Sequence, residues 1–342
     1  MTTTLAPLAE RVAAPATVRV PDASTGLTWG ALARSDVAEL TALVVACQEA
    51  DALPYRISQA EVDEHFDDSN LDVERDTLAG RDEAGALRAW ALVQQPAGDT
   101  RVVRAFLDGG VHPEWRRRGI GAQVLAWSQD RGRQLLAATG KQVPARLSVY
   151  VDDTATATAA AVRAAGFTPI RYYAEMRRAL TGDVPEPFAP EGVRIVPWSA
   201  ELDEQARLAH NEAFADHWGS EPRTPEQWVQ TRAMFAPTWS FLALDQASDE
   251  VVGYLLSGRY EQDWPVAGYS SGYTDVLGVR RAWRGRGIAP ALLVAAMHAY
   301  RADGIEYAEL GVDTANPTGA HGLYSRLGYV PYLSSTAFSI EL

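Results

Sequence analysis

The sequence predicts an α/β protein made of two copies of one domain. The phrase PEWRRRGIGA at 113–122 recurs as RAWRGRGIAP at 281–290, and its two tryptophans are 168 residues apart in a chain of 342. Other landmarks repeat in the same order, pairing 25–36 with 191–202, 85–94 with 249–258 and 164–173 with 326–335. Strand-like and helix-like segments follow one another in each half, as they do in layered α/β folds. Repetition on this scale indicates duplicated domains rather than a solenoid.

The repeat sets the expected domain boundaries. The segment TGDVPEPFAP at 181–190 carries three prolines, which favours a semi-rigid linker. We therefore expect an N-terminal tail over 1–24, an N-terminal domain over 25–180 and a C-terminal domain over 191–342. Within the C-terminal domain the expected order is strand, two helices, three strands, helix, strand, helix and strand.

The composition limits the function. The net charge of −13 and the isoelectric point near 5.0 argue against a nucleic-acid partner, which would need a basic surface. A single cysteine, Cys47, excludes an intrachain disulfide framework and a multi-cysteine zinc site, and we expect no metal. The first twenty residues lack a signal-peptide pattern, and no run of eighteen apolar residues is present. These features predict a cytoplasmic protein without a membrane partner. The sequence leaves open whether the protein is a monomer or a homodimer.

The repeated phrase predicts an anion-binding turn at the start of a helix. In the second copy, Leu292, Ala296 and Tyr300 follow the turn at the spacing of a buried helix face. N–H groups at a helix start have no intrahelical partner, the helix dipole adds positive charge, and glycine admits a bulky phosphate. The predicted guest is a pyrophosphate. The residues expected to bind the phosphate-bearing ligand, on the turn or on the strand that leads into it, are Leu277, Gly278, Val279, Arg284, Gly285, Arg286, Gly287, Ile288 and Ala289 in the second copy, and Gly109, Gly110, Val111, Arg116, Arg117, Arg118, Gly119, Ile120 and Gly121 in the first.

The phrase resembles motif A of the GNAT acetyltransferases, Arg/Gln-x-x-Gly-x-Gly/Ala. The matching residues are Arg284, Gly287 and Ala289 in the second copy and Arg116, Gly119 and Gly121 in the first. The stretch 316–332 also resembles motif B of that family, through Asn316, Tyr324 and the run 327–329. The resemblance covers nearly the whole chain as two GNAT units.

The resemblance implies a fold of two GNAT domains in tandem, each a mixed, mostly antiparallel sheet flanked by helices. It implies acetyl-CoA as the acyl donor and a small-molecule amine as the acceptor. The pyrophosphate arm would lie on motif A and the thioester beside the strand that ends at Val279. Asn316 would be among the donor-binding residues.

Acyl transfer to an amine requires loss of the ammonium proton, stabilisation of an oxyanion and protonation of the leaving thiolate. A backbone N–H near Val279 would serve the oxyanion, and the resemblance assigns the thiolate's proton to Tyr324, whose alternative role is core packing. Alignment of Gly166 with Gly328 places Val162 opposite Tyr324, so the first copy lacks this donor. We therefore expect catalysis in the C-terminal domain. The N-terminal domain would either bind CoA without transfer or be purely structural.

Four residues are candidates for the general base: Glu221, Asp275, His217 and Asp216. Asp275 lies four positions before Val279, so regular strand alternation predicts that both face the same side. Histidine titrates nearest to neutral pH, and Glu221 lies in the expected substrate loop. Each loop residue also has a structural alternative. Asp216 could cap the loop, His217 could pack beneath Trp218, and Glu221 could be solvated. Candidates for lining an acceptor pocket are Trp218, Trp228, Trp239, Trp264, Arg259 and Tyr260, with core packing as the alternative for the tryptophans.

The segment AFADHWG at 213–219 resembles tandem GNAT proteins of the mycothiol synthase type. After the histidine that pattern continues Pro-Glu-Gln-Gly, whereas this chain has WGSE at 218–221, so the substrate does not follow from the resemblance. The first hypothesis is an acetyl-CoA-dependent N-acetyltransferase of a small amine. Mycothiol synthase-like acetylation of an amino-sugar thiol and a non-catalytic acyl-CoA sensor are alternatives. The acidic charge disfavours a tandem GNAT-like aminoacyl-tRNA-dependent transferase.

Overall fold

The structure is a computed structural model that describes residues 5–230, 232–315 and 320–342, without the side chains at 320 and 321. The chain folds into two compact units. Unit 1 comprises the chain up to Arg171 together with Ser335–Leu342, and unit 2 comprises Tyr172–Ser334. Within the described ranges, no helix combines the length and the apolar composition needed to cross a bilayer.

Unit 1 is a mixed sheet with helices on both faces. Its helices are α1 (Leu8–Arg11), α2 (Val37–Ala50), α3 (Gln59–His65), α4 (Val73–Asp76), α5 (Ile120–Ala138) and α6 (Thr156–Ala164). Its strands are β1 (Thr28–Gly30), β2 (Thr77–Arg81), β3 (Leu87–Gln94), β4 (Val103–Val111) and β5 (Ala145–Asp152). Neighbouring strands run antiparallel except β4 and β5, which are parallel. Helix α5 covers one face of the sheet, and α2 and α3 cover the other.

Unit 2 repeats this plan. Its helices are α7 (Asp203–Ala213), α8 (Pro225–Val229), α9 (Trp264–Ala267), α10 (Ile288–Ala302) and α11 (Ala320–Arg326). Its strands are β7 (Val193–Pro197), β8 (Phe241–Asp245), β9 (Val251–Gly258), β10 (Ser271–Val279) and β11 (Tyr307–Asp313), and only β10 and β11 are parallel neighbours among them. The expected order of strands and helices is confirmed, with the four-residue α9 added. Leu292, Ala296 and Tyr300 are buried, as the spacing predicts.

The borders of the units differ from the domain boundaries expected from the sequence, because each sheet is completed by a distant segment. Strand β6 (Thr168–Ala179) pairs through residues 173–179 with β11 in unit 2. Strand β12 (Val330–Glu341) pairs through residues 335–341 with β5 in unit 1. The segment expected to be an N-terminal tail also contributes Leu8 and Val12 to the unit 1 core. Val184, in the expected linker, is buried in the unit 2 core.

In each unit the parallel strand pair separates towards its carboxyl end. The pairing of β4 with β5 ends at Phe106, and the pairing of β10 with β11 ends at Thr274. Phe106 and Thr274 are 168 residues apart, the same offset as the repeated phrase. The opening between the strands is therefore part of the duplicated plan, and it lies at the strand ends that lead into the two turns.

Candidate active site

Both copies of the repeated phrase fold into the same turn. Arg117 and Gly119 have positive φ angles of 65° and 80°, and the matching Gly285 and Gly287 have 75° and 84°. Each turn leads directly into a long helix, α5 or α10. Glycine adopts this left-handed backbone freely, whereas an arginine does so at a cost of about 1 kcal/mol. Unit 1 therefore forms the same turn even where its sequence is less suited to it.

The arginine that follows the tryptophan in each phrase fastens the turn to the helix that follows the first strand. Arg116 donates to both carboxylate oxygens of Asp51, at 2.6 and 2.9 Å. Arg284 donates to the backbone carbonyls of Ala213 and Val279, at 2.5 and 3.3 Å. The Arg116 side chain is half-buried and held by Asp51, so the structure does not support its expected role as an anion ligand. Arg284 is exposed, and its expected role as an anion ligand stays a prediction.

The third arginine of each phrase lies on an aromatic ring. The guanidinium of Arg118 is 4.6 Å from the centre of the Trp115 ring, and that of Arg286 is 4.6 Å from the Trp283 ring. Both arginines are exposed. Stacking on tryptophan restricts a guanidinium while leaving its N–H groups at the surface, so each turn has a positive charge held close to the helix start.

The helix starts supply backbone donors in both units. The first N–H groups of α5 and α10 precede the first intrahelical hydrogen bonds, which reach back to Gly119 and Gly287. A Cβ atom added to Gly119 would meet nothing within 4 Å, so the approach to this turn is open. In unit 2 the third helical residue is Pro290, which has no N–H. Both turns fit a phosphate-bearing ligand, and unit 1 offers one donor more.

Tyr324, the expected proton donor, lies on α11. Its ring packs with α10 and β11 in the unit 2 core, and 9% of the residue is exposed. Burial raises the pKa of Tyr324 to about 12, so the phenol is protonated at neutral pH and is able to donate. Asn316, expected beside it as a donor ligand, lies outside the described residues.

Unit 1 has Val162 in place of this tyrosine. The N–H of Tyr329 bonds to the carbonyl of Tyr324 at 3.1 Å, and the N–H of Phe167 bonds to the carbonyl of Val162 at 3.3 Å. The glycine before each aromatic residue has a positive φ angle. The two helix ends are therefore built alike, and unit 1 presents an aliphatic side chain where unit 2 presents a phenol.

A β-bulge in unit 2 changes the direction of Asp275. The register of β10 against β9 shifts by one residue between Thr274 and Val276, whereas β4 pairs with β3 without a shift. Leu277 and Val279 pack against the core beneath α10. Asp275 is exposed on the other face, where it accepts a hydrogen bond of 2.9 Å from the Tyr260 hydroxyl. The expectation that Asp275 and Val279 share a face is wrong because the bulge breaks the alternation.

The other candidate bases lie on the loop after α7. Asp216 forms an ion pair with Arg281, the first residue of the repeated phrase. The Nδ1 of His217 lies 3.1 Å from the Trp218 carbonyl oxygen, and its ring packs against Phe214. Glu221 is half-buried. Asp216 and His217 therefore help to hold this loop, and Asp275 is the candidate base that lies on the strand beside the opening.

The tryptophans proposed for an acceptor pocket divide into two groups. Trp228 and Trp239 are almost fully buried, and the Trp239 indole donates to Asp303 at 2.7 Å. The Trp264 indole donates to the Ser271 carbonyl oxygen at 3.1 Å. The guanidinium of Arg259 lies over the Trp239 and Trp264 rings. Core packing therefore accounts for Trp228 and Trp239, whereas Trp218 and Trp264 are half-buried.

One face of the unit 2 sheet carries tyrosines and carboxylates beside the opening. Ala308, Leu310 and Val312 face the core under α10, so the residues between them face the opposite side. On that side hydroxyl groups bond to carboxylates: Tyr273 to Glu175 at 2.8 Å, Tyr269 to Glu309 at 2.6 Å and Tyr260 to Asp275 at 2.9 Å. We call these six residues the tyrosine–carboxylate face. It gives this side of the unit 2 sheet three carboxylates, each held by a tyrosine hydroxyl.

The sequence of this chain matches known acetyltransferases. The model of the Acetyltransferase (GNAT) family matches residues 204–329. The mycothiol acetyltransferase of Thermobispora bispora is 37% identical over 233 residues, which are 64% of this chain and 70% of that protein. The chain belongs to the GNAT acetyltransferase family. It is an acyltransferase with two GNAT units in tandem.

Solved structures show the same architecture. A GNAT from Sphaerobacter thermophilus superposes with a TM-score of 0.69 at 29% identity, covering 94% of this chain and 97% of that one. A tandem GNAT protein from the clavulanic acid biosynthesis pathway gives a TM-score of 0.66 at 18% identity, covering 92% of this chain and 98% of that one. The predicted fold class of this GNAT chain, two mixed and mostly antiparallel sheets flanked by helices, is confirmed.

Two carboxylates of the tyrosine–carboxylate face, Glu175 and Glu309, were not singled out from the sequence of this GNAT chain. Glu175 belongs to the half of the sequence assigned to the N-terminal domain, and only the pairing of β6 with β11 brings it into unit 2. Glu309 lies in a strand whose alternation was too weak to show which residues face the core. A usable signal for Glu175 was present in the alternation of the buried Ala174 and Met176 with polar residues along β6.

Proposed function

We propose that this chain is an acetyl-CoA-dependent N-acetyltransferase that acylates the primary amine of a small molecule, with the reaction in unit 2. The observation that carries the assignment to unit 2 is the pair of differences between otherwise matching units. Unit 2 has Tyr324 where unit 1 has Val162, and it has the bulged Asp275 where unit 1 has the buried Leu107. Both groups with acid–base chemistry are therefore in one unit.

The residues of unit 2 divide the work of acyl transfer. The turn before α10 and the separated ends of β10 and β11 would hold the donor, with its thioester in the opening. Asp275, directly or through a water, would take the proton that the attacking ammonium must lose. The amine nitrogen would then form the C–N bond by attack on the thioester carbonyl, and a backbone N–H near Val279 would stabilise the oxyanion of that addition. Collapse of the oxyanion would break the C–S bond, and Tyr324 would protonate the departing thiolate.

Unit 1 is proposed to bind the donor without transferring the acyl group. Its turn and strand opening match those of unit 2, and its helix start has one additional N–H donor. The matching positions for the acid and the base are filled by the buried Val162 and Leu107. A binding role is supported over a purely structural role because the turn keeps its left-handed backbone at Arg117.

A mycothiol-type acceptor is the second candidate. It is favoured by relatives named mycothiol acetyltransferase, including one from Parafrankia sp. that is 29% identical over 92% of this chain and 98% of its own length. The substrate loop at 218–221 departs from the pattern of that type. The amino-sugar thiol therefore belongs in the acceptor panel.

The experiment is CoA-thiol release from acetyl-CoA against amino sugars, amino-sugar thiols, polyamines, aminoglycosides and amino acids. Tyr324→Phe is expected to lower kcat about tenfold or more, because a general acid is removed while the ring stays in place. Tyr329→Phe is the matched control, since Tyr329 is a buried tyrosine whose ring centre is 6.0 Å from that of Tyr324. Undiminished turnover in Tyr324→Phe would refute the assigned donor. Absence of turnover with every amine would favour the acyl-CoA sensor.

A further inference from the structure

The most informative feature outside the sequence motifs is the contact between Glu175 and Tyr273. The Tyr273 hydroxyl donates to Oε2 of Glu175 at 2.8 Å. The two residues belong to β6 and β10, which are separated in the sheet by β11. The contact crosses β11 at Gly311, where a Cβ atom would lie 2.9 Å from both the Tyr273 hydroxyl and Oε1 of Glu175. The absence of a side chain at Gly311 is what allows this bond to form.

The contact lies at the mouth of the strand opening. The last paired residues of β10 and β11 are Thr274 and Leu310, so Tyr273 and Gly311 flank the point of divergence. Both Glu175 and Tyr273 are half-buried, and the Tyr260 ring packs edge-on against Tyr273 at 5.8 Å. An acceptor that reaches a thioester in this opening from the tyrosine–carboxylate face passes directly beside Glu175.

The chemistry of the contact fits a cation. Burial and the nearby Glu175 charge raise the pKa of Tyr273 well above its usual value, so the phenol remains a neutral donor. A neutral phenol that donates to a carboxylate orients it without cancelling its charge. An oriented carboxylate in a partly desolvated site favours an ammonium group, and hydrogen bonds to charged groups are stronger than neutral ones.

We propose that Glu175, oriented by Tyr273, binds the ammonium group of the acceptor and makes the unit 2 site selective for cationic amines. This inference rests on the proposed function. Glu175 acts as a specificity-determining residue in ground-state binding, and the proton transfers remain with Asp275 and Tyr324. The unit 2 acceptor site thus uses a side chain supplied by the strand that continues from unit 1.

The same face contains a natural control. Tyr269 donates to Glu309 at 2.6 Å, which repeats the tyrosine–carboxylate contact on β11. Glu309 is 7% exposed, and the Arg177 guanidinium lies 5.0 Å from the Tyr269 ring centre. Glu309 is therefore more enclosed than Glu175 and has a cation near its partner. Glu309→Gln removes the same charge from the same sheet face without changing the Glu175 contact.

The test compares Michaelis constants for both substrates in full-length Glu175→Gln, Tyr273→Phe and Glu309→Gln. Glu175→Gln is expected to raise the amine KM about tenfold or more, with the acetyl-CoA KM changed less than about twofold. Tyr273→Phe is expected to raise the amine KM by a smaller factor, and the double variant by less than the product of the two. With hydroxylamine, which is uncharged at neutral pH, the Glu175→Gln effect is expected to shrink. Tyr273→Phe provides the same test if Glu175→Gln does not fold.

Three outcomes overturn the inference. An unchanged amine KM in Glu175→Gln, with wild-type turnover intact, refutes it while the proposed function stands. An equal rise in the amine KM of Glu309→Gln assigns the effect to the general charge of the face. Absence of amine turnover by the wild-type protein refutes the proposed function, and the inference falls with it.

Discussion

Gly278→Ala tests the packing that supports the splayed end of β10. A Cβ on Gly278 would lie 2.5 Å from Cε1 and 2.8 Å from the hydroxyl oxygen of Tyr254. Tyr254 is fully buried, its hydroxyl lies 2.6 Å from Nδ1 of His210, and its ring packs edge-on against Trp228 at 5.8 Å. The added methyl group would overlap the buried phenol ring itself, so it must displace either the ring or the strand.

The expected cost follows from these contacts. Overpacking a tight core site costs about 1–3 kcal/mol, and loss of the Tyr254–His210 hydrogen bond adds about 1 kcal/mol. Alanine has a lower chain entropy than glycine in the unfolded state, which raises the free energy of unfolding by about 0.5–1 kcal/mol. A net loss of about 2 kcal/mol corresponds to a fall in Tm of about 4–8 °C for a unit of this size.

The matched control is Gly110→Ala in unit 1, at the position 168 residues earlier. Its Cβ would lie 3.0 Å from the Trp90 indole nitrogen and 3.5 Å from the Cys47 sulfur, which is a milder contact with half-buried side chains. Thermal unfolding followed by circular dichroism is expected to show the larger shift for Gly278→Ala. A shift within about 2 °C of wild type, or a shift at least as large in Gly110→Ala, would refute the reasoning.

Three further predictions follow from named contacts. Burial lowers the pKa of His210 from 6.5 to about 3, so between these pH values the unfolded chain binds a proton that the folded chain does not. The free energy of unfolding therefore falls as the pH drops below 6.5. In urea unfolding at a series of pH values, His210→Asn is expected to flatten this part of the curve. Arg116→Ala and Asp51→Ala are each expected to lower the unfolding free energy by about 1 kcal/mol, with a double variant that costs less than their sum, in denaturant titrations. Calorimetric titration with CoA is expected to give two binding equivalents per chain, and a single equivalent would show that unit 1 is only structural.

The parts of the molecule that depend on local sequence were predictable. The turn geometry follows from glycine placement at Gly119 and Gly287, and the buried face of α10 follows from helical spacing. The loss of the donor in unit 1 was visible as Val162 opposite Tyr324. In each case the information lies within a few neighbouring residues, where backbone preference and periodicity are strong.

The parts that depend on long-range pairing were not predictable. The pairing of β6 with β11 decides that Glu175 belongs to unit 2, and nothing within β6 specifies which sheet it joins. The bulge at Asp275 reverses the face that regular alternation assigns, and its cause lies in the pairing with β9. The Arg116–Asp51 contact joins residues 65 positions apart. The sequence therefore suggested an anion ligand at Arg116, whereas in the structure its side chain holds the turn against Asp51.

The central claim is that acyl transfer depends on the donor turn of unit 2. The most direct measurement is the rate of CoA-thiol release, with a fixed amine, by Ala289→Glu and by Gly121→Glu. These variants place the same carboxylate at the same helical position of α10 and α5, where it is compatible with the helix start and repels a pyrophosphate. Ala289→Glu is expected to lower turnover at least about tenfold, and Gly121→Glu is expected to have a much smaller effect. The reverse pattern, or equal losses in both variants, would contradict the central claim.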